Sequence, residues 1–475
     1  MRDARKQKGS DGMGKIRFGF ALLIGKLAEW ALRVLAGRGS NTPGIMMLKL
    51  CPDALARFQM PPTVICVTGT NGKTSTSNLV THILRTAGKT VVNNSKGSNM
   101  APGLVTALAA NCTLGGRVKS DAAVLEVDER SSQYIYRYFT PDYLLCTNLF
   151  RDSIKRNGHS EFIFDKINDF LPAKTTLLLN GNDMISGLLG DGKNERVFYS
   201  VEKTSRSTAE CPNTVCDITA CPRCHHKLSY EFYHYHHIGA AHCLSCGFAM
   251  PQSRYYASDV DYDAGTFCFH DGEDTVTLPF AAGNLFNVFN GTAAAAVCRL
   301  AGISLQDVAR GVDDLSAQTG RFEDIRAGEL SVVTMLFKNQ NPISGSQSLA
   351  YLDHISGRKD VVLIVTDSKD KVHGHEDISW LYDTDFASLT AQDVGTVYIG
   401  GTRCSDLALR LILAGVDEKK LRLYPDYEEL ARELPETVCT CGTVAIYFEL
   451  YAMPIAAKLK NILVSHFSEK EGAAQ

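Results

Sequence analysis

The stretch TVICVTGTNGKTSTSNLVTHIL, residues 63–84, constrains the fold more than any other part of the chain. A β-branched run passes through a glycine-rich turn directly into helical spacing, the order of strand, phosphate loop and helix N-terminus. Gly69 and Gly72 let backbone N–H groups close on phosphate oxygens, and the following helix offers the positive end of its dipole. The candidate nucleotide-binding residues are therefore Gly69, Thr70, Asn71, Gly72, Lys73, Thr74 and Ser75. Lys73 is placed to reach terminal phosphates and Thr74 to hold Mg²⁺. The loop is a short form, because Val67 stands where a general Walker loop has its first glycine.

A strand feeding a helix through such a loop implies an α/β fold. With 475 residues, 45% of them hydrophobic and 21% charged, the chain has room for two or three domains with ordinary cores. A net charge of −3 gives no general drive toward nucleic acid or an anionic surface. One local exception is the start, where Arg2, Arg5, Lys6, Lys8, Lys15 and Arg17 face only Asp3 and Asp11. The FGFALLIG run that follows (18–25) is interrupted by Lys26, Glu29 and Arg33, so it reads as an amphipathic helix over about 16–36 rather than a secretory signal. Such a helix either packs on the body or rests near a membrane surface. No other run approaches the ~18 apolar residues of a membrane span. The fifteen cysteines are mostly scattered singly through apolar runs, which suits a reducing cytoplasm.

Four cysteines are not scattered. Cys221 and Cys224 in CPRC, with Cys243 and Cys246 in CLSCG, have the spacing of two knuckles that complete a tetrahedral Zn²⁺ site. Four thiolates leave no open position for water, so the site is expected to be structural. Between the knuckles Tyr230, Tyr233, His234, Tyr235, His236 and His237 offer rings that RNA bases stack on. Only Arg223 and Lys227 supply positive charge there, too little for phosphate contacts. Bracing, or contact with a large substrate or a partner, is the expected role, with no nucleic acid.

Further marks follow the loop in order: VLEVDE (124–129), the TN turn in PDYLLCTNLFRDSIKRNG (141–158), LLLNGND (177–183), AAGNLFNVFNGTAAAA (281–296) and GRFE (320–323). Together with GTNGKT they resemble the Mur ligase superfamily, which joins amino acids to peptidoglycan precursors. The resemblance implies that Glu126 helps to hold Mg²⁺, that Asn287 and Asn290 lie at the adenine, and that Arg321 reaches ATP from a hinge. Too little chain precedes Gly69 for the separate nucleotide-sugar domain of general Mur ligases, so substrate recognition is expected to differ.

The double CxxC, the KGSNMAPGLVTAL segment (96–108), the TNLFRDSIKRNG turn and EDISWLYDTDF (376–386) resemble the MurT branch. That likeness implies a P-loop Mur ligase central domain (40–318) behind an N-terminal lead-in (1–39), a zinc-ribbon insert at about 211–252, and a Rossmann-like C-terminal domain (319–475). It also implies ATP-dependent amidation of the α-carboxyl of D-glutamate in the lipid II stem peptide at the cytoplasmic membrane face. ATP, Mg²⁺ and Zn²⁺ are the implied ligands and a GatD-like glutaminase the implied partner. Asp377 matches the aspartate implicated in completing a catalytic constellation with that partner, and it is also a candidate helix cap. Lys73, Glu126 and Asp377 are then the catalytic set. Departures stand at Lys155, at LFKNQNP (336–342), at Lys369 to His375 and at FELYAM (448–453). A Mur-like amino-acid ligase and a nucleic-acid-stimulated ATPase are the alternatives.

Overall fold

The first strands of the chain are apolar without alternation, as expected of strands covered on both faces. The computed structural model describes residues 2–36, 41–95, 98–152, 158–280, 284–313, 322–337, 341–366 and 377–473. Gly320, Arg321, Lys155 and the departures at 338–340 and 369–375 lie outside the described residues.

Two compact units divide the chain. Unit 1 comprises Met1–Leu149, Ser160–Glu210 and Asp217–Ala317, and unit 2 comprises Phe150–His159, Cys211–Cys216 and Gln318–Gln475. Unit 1 therefore includes the N-terminal helix, and Cys211–Cys216, at the start of the expected insert, is counted with unit 2.

In unit 1, α1 (Arg2–Ala36) and α2 (Thr42–Leu50) precede β1 (Thr63–Thr68), α3 (Lys73–Thr86), β2 (Val91–Asn93), α4 (Ala101–Ala110), β3 (Ala122–Glu126) and β4 (Tyr143–Cys146). There follow β5 (Thr176–Asn180), β6 (Arg196–Val201), β7 (Ser229–Tyr235), β8 (Ile238–His242), β9 (Tyr255–Asp261), β10 (Thr266–Asp271), β11 (Asp274–Pro279), α5 (Leu285–Leu300) and α6 (Leu305–Asp313). Nine strands form one sheet in the order β11-β10-β9-β6-β5-β4-β1-β3-β2. The strands from β9 to β2 run parallel, and β10 and β11 extend the edge as antiparallel hairpins. α3 packs against α5 and α6. The run from Gly291 to Cys298 is buried throughout, its small side chains letting α5 lie close to its neighbours.

α1 begins at Arg2, earlier than the expected 16, because the polar segment before Lys15 continues the same helix. It packs on α2, which packs on α4. Gly25 lets α1 approach Met47, since a Cβ there would collide with that side chain. Among the described residues no helix is long and apolar enough to cross a membrane.

Unit 2 is built on a six-stranded sheet, β12 (Phe322–Ala327), β13 (Leu330–Phe337), β14 (Lys359–Ile364), β15 (Val394–Gly400), β16 (Leu421–Tyr424) and β17 (Gly442–Glu449), in the order β12-β13-β17-β14-β15-β16. All neighbours run parallel except β12 and β13. The helices α7 (Pro342–Ala350), α8 (Trp380–Asp383), α9 (Cys404–Leu413), α10 (Tyr427–Thr437) and α11 (Met453–Ala473) complete the Rossmann-like unit. Of FELYAM, only Phe448 and Glu449 remain in strand before a short 3₁₀ turn leads into α11.

Candidate nucleotide site and cysteine clip

The loop at 69–72 is fastened from behind by the TN turn that follows β4. Thr70 N–H donates to the Asn148 carbonyl at 2.8 Å and Asn71 N–H to Asn148 Oδ1 at 3.0 Å. Thr147 Oγ1 donates to the Asn71 carbonyl at 2.6 Å. Gly69 and Gly72 have φ of +122° and +85°, values that side chains rarely adopt. A Cβ on Gly69 would also collide with Thr147 Oγ1, and one on Gly72 with Asn290 Oδ1. The result is a narrow cradle at the N-terminus of α3, with half-buried Thr74 and Ser75 in its first turn. This geometry fits a chain of phosphates.

Lys73 is buried and its ammonium donates to Glu129 Oε1 at 2.7 Å, to the Thr70 carbonyl at 3.4 Å and to the Gly69 carbonyl. Burial opposes its charge, but the carboxylates of Glu129, Glu126 and Asp128 outweigh that and hold the lysine above its ordinary value. Glu126, at the end of β3, accepts from Asn99 Nδ2 at 3.1 Å. The sequence singles out Glu126, and the structure adds Glu129 as the direct partner of Lys73. The only signal for Glu129 is its place as the last carboxylate of VLEVDE, which does not say which of the three turns inward.

Asn290 on α5 meets the same loop, since Thr76 Oγ1 donates to its Oδ1 at 3.2 Å. Asn287 lies one turn earlier on α5, in the turn opened by Asn284, whose side chain accepts from Phe286 N–H at 2.9 Å.

The four cysteine sulfurs all lie within 4.8 Å of one another. Cys221 Sγ is 3.6 Å from Cys246 Sγ, and Cys224 Sγ is 3.4 Å from Cys243 Sγ. The two knuckles are built alike: His225 N–H donates to the Cys221 carbonyl and Gly247 N–H to the Cys243 carbonyl, each at 2.9 Å. His225 and Gly247 both take positive φ, 60° and 69°. A hydrogen bond from the Cys246 backbone, with help from neighbouring thiols, pulls the Cys243 thiol down to about 7. Four sulfurs converging in this way fit a soft divalent cation such as Zn²⁺.

β7 and β8, between the knuckles, form a hairpin whose rings are largely turned inward. His234, Tyr235, His236 and His237 are buried. Tyr235 packs against Phe286 with ring centroids 4.8 Å apart, and His234 against Phe289 at 5.5 Å, so the hairpin abuts the start of α5. Burial pushes His234 down to about 4. Its Nε2 lies 3.1 Å from the Val201 carbonyl and its Nδ1 3.1 Å from Ser207 Oγ, so the neutral ring donates from Nε2 and accepts at Nδ1. Rings committed in this way are not a base-stacking platform.

A further contact joins the hairpin to the loop. His237 Nε2 is 3.2 Å from Asp183 Oδ1, both side chains fully buried. Asp183 Oδ1 also accepts from Ile185 N–H at 2.9 Å, and its Oδ2 from Leu149 N–H at 2.8 Å. Leu149 directly follows the TN turn that holds the loop, and Asn180 Nδ2 donates to the Thr147 carbonyl at 3.0 Å. The turn after β5 is thus a junction between hairpin and loop, invisible in sequence except as an Asn-rich turn.

In unit 2, Asp377 is buried and its Oδ1 accepts from Ser379 N–H at 3.0 Å and from the Ser379 hydroxyl. It thus fixes the entry to α8, whose N-cap is Ser379. The segment beyond is held firmly. Buried Arg410 donates to the Leu381 and Thr384 carbonyls, both at 3.0 Å, and Asp385 accepts from Asn213 Nδ2 and Thr214 N–H, both at 3.1 Å. Arg151 Nε lies 3.5 Å from Asp383 Oδ2.

The chain is similar to known proteins. Residues 67–216 match the Mur ligase middle domain family and residues 338–451 the MurT ligase C-terminal family. The chain is 31% identical over 399 residues to the lipid II isoglutaminyl synthase (glutamine-hydrolyzing) subunit MurT of Staphylococcus aureus strain N315, covering 84% of this chain and 88% of that one. For the subunit of the same name from Streptococcus pneumoniae the identity is 29% over 426 residues, with 88% and 92% covered. Among solved structures, a pseudomurein peptide ligase type C from Methanothermus fervidus superposes with a TM-score of 0.62 at 20% identity, covering 89% of this chain and 81% of that chain. MurF ligase from Thermotoga maritima, in complex with ADP, does so with a TM-score of 0.56 at 17% identity, covering 90% and 85%. These two likenesses bear on the fold alone.

Proposed function

The chain belongs to the MurT family of Mur ligases, and we propose that it amidates the α-carboxyl of D-glutamate in the stem peptide of lipid II. The observation that carries this reading is the GTNGKT cradle with Lys73 buried beside Glu126 and Glu129, joined in one chain to a MurT C-terminal unit. The protein is an ATP-dependent carbon–nitrogen ligase and one subunit of a complex. A GatD-like glutaminase is the partner we infer, supplying ammonia from glutamine.

A carboxylate does not react with ammonia at neutral pH, so it must first become an electrophile. Carboxylate oxygen attacks the terminal phosphorus of ATP, ADP leaves, and an acyl phosphate forms. Ammonia then attacks the acyl carbon, phosphate leaves with the C–O bond electrons, and the nitrogen loses a proton to give the amide. Mg²⁺ held by Thr74 and Glu126 would supply positive charge to the transferring phosphoryl group. The backbone N–H groups of 69–75 hold the phosphates, and Lys73 exchanges Glu129 for the terminal phosphate. Asn287, Asn290 and Arg321 complete the nucleotide site in this reading, and Asp377 acts beside the partner. The four cysteines hold Zn²⁺ as a closed brace. Because the acceptor is lipid-linked, the work is placed at the cytoplasmic face of the membrane.

Purified protein with its glutaminase partner, ATP, glutamine and lipid II should release ADP and phosphate. Mass spectrometry of the stem peptide should show replacement of a hydroxyl by an amino group. Incorporation of an amino acid without amidation would instead establish the amino-acid ligase reading.

A further inference from the structure

α1 is apolar on two opposite faces, and only one of them is used by the fold. Phe18, Ala21, Leu22 and Gly25 are buried, with Phe18 edge-on to Phe58 at 5.2 Å. On the far side Ile16, Phe20, Leu23, Leu27, Trp30 and Val34 are exposed by 75%, 59%, 48%, 56%, 67% and 65%. These six recur alternately four and three residues apart, so they form one continuous stripe about 27 Å long. A helix that is apolar on both sides belongs in the interior, and half of this one has no cover from its own unit. α2, which packs on α1, adds exposed Ile45 and Met46.

We propose that this stripe is a lipid-docking surface that seats unit 1 in the headgroup region of an anionic membrane. The charges choose between a lipid and a second copy of the chain. In a paired coiled coil the positions flanking the stripe would face their counterparts, and here they are Arg17, Ile24 and Ala31 on one side with Gly19, Lys26 and Arg33 on the other. No acid is among them, so two copies would gain no pairing of opposite charges along that seam. The same helix continues toward its start through Arg2, Arg5, Lys6 and Lys8, against Asp3 and Asp11. A basic run leading into an apolar stripe that holds a tryptophan matches the two-part attraction of an interfacial helix. Lys26 donates to the Ala109 and Cys112 carbonyls at 2.6 and 2.8 Å, tying the helix to the C-terminal end of α4. Asn99, which donates to Glu126, lies two residues before α4. Hydrogen bonds at the two ends of α4 thus connect the helix to the carboxylate end of the nucleotide site. The docking surface's value for catalysis rests on the lipid-linked acceptor proposed above; the surface itself does not.

The test uses the full-length chain and vesicles of phosphatidylcholine with or without phosphatidylglycerol. Trp30 is a built-in reporter, since the other tryptophan, Trp380, is 3% exposed. Anionic vesicles should shift Trp30 emission to the blue and carry the protein down on sedimentation, with weaker binding in high salt. The double variant Phe20→Glu, Leu27→Glu should partition about tenfold more weakly or worse while melting and binding nucleotide as the wild type does. It should also amidate a water-soluble muropeptide normally and lose activity on vesicle-embedded acceptor. Failure of the wild type to amidate either acceptor would sink the functional reading while leaving vesicle binding intact. Absence of vesicle binding would overturn the proposal, and a dimer abolished by the double variant would assign the stripe to a second copy.

Discussion

Replacing Asp183 by asparagine tests whether the cysteine-clipped hairpin and the phosphate loop are held through one buried carboxylate. Asp183 accepts from Leu149 N–H on one oxygen, and from Ile185 N–H and His237 Nε2 on the other. An amide of the same shape keeps only one acceptor oxygen. If that oxygen stays toward Ile185 and His237, the new NH₂ group opposes Leu149 N–H, donor against donor. A buried donor left without an acceptor costs about 1–3 kcal/mol, and the remaining bonds each lose about 1 kcal/mol on ceasing to be charge-assisted. The total is about 4 kcal/mol, within the range for breaking a buried polar pair. For a large domain each kcal/mol moves the midpoint by roughly 2–4 °C, so the loss should be on the order of 10 °C. Scanning calorimetry and titration with a non-hydrolysable ATP analogue would measure it. Because Leu149 follows the turn that holds Asn71, nucleotide affinity should fall along with stability. The exposed pair of Asp191 and Arg196 is the control, and Asp191→Asn should move the midpoint by no more than about 2 °C. If Asp183→Asn melts within that same margin and binds nucleotide normally, the coupling of hairpin to loop is refuted.

Lys73→Met should abolish ADP release and also destabilise unit 1 by about 3–5 kcal/mol, because Glu129 is left buried without its cation. Adding Glu129→Gln should restore the melting temperature without restoring turnover, and a double variant no more stable than Lys73→Met would disprove the pairing. Cys224→Ser should lower bound zinc, measured by plasma emission, and shift the melting transition before any separate defect in chemistry; a stable, nucleotide-binding but inactive variant would contradict a purely bracing role. His234 binds its proton only near pH 4 in the folded chain, against 6.5 for the free side chain. The unfolded chain therefore takes up a proton first, and His234 lowers stability as pH falls from 6.5 to 4, by up to about 3 kcal/mol. His234→Gln should flatten that arm of the stability–pH curve, and an unchanged slope would remove His234 as its cause.

The loop and the cysteine clip were legible because each is fixed by a few adjacent residues with obligatory chemistry: small residues where the backbone must approach phosphate, thiols in pairs at a tight turn. The partners of those motifs were not. Lys73 and Glu129 are 56 residues apart, and His237 and Asp183 are 54 apart. No local pattern distinguishes them from other carboxylates and rings. Composition misdirects in the same way for the spacer between the knuckles. Alternating Tyr and His reads as a ring platform, yet four successive residues from His234 to His237 are buried against the body. The apolar residues of α1 announce a helix, but which of its two faces the fold would use depends on α2 and α4.

Topology explains why a clip is needed where it occurs. β6 and β9 are parallel neighbours, and the chain between them, residues 202–254, is their crossover. A parallel pair needs such a connection, and a helix is the usual one because its hydrogen bonds are internal and one face is apolar. Among the described residues this crossover has no helix, only β7 and β8 in a two-stranded sheet of their own. An isolated hairpin is marginal in water. Two things offset that here: His234 and Tyr235 of β7 pack against Phe286 and Phe289 at the start of α5, and the four thiols draw the hairpin's two flanks together. Since α5 also carries Asn290 to the phosphate loop, loosening the clip should reach the nucleotide site through packing, with no thiol taking part in the reaction. The discriminating result is the order of events on chelation: loss of zinc, then loss of hairpin protection in hydrogen exchange, then loss of nucleotide affinity. Nucleotide affinity that falls before hairpin protection would place the cysteines in the site itself.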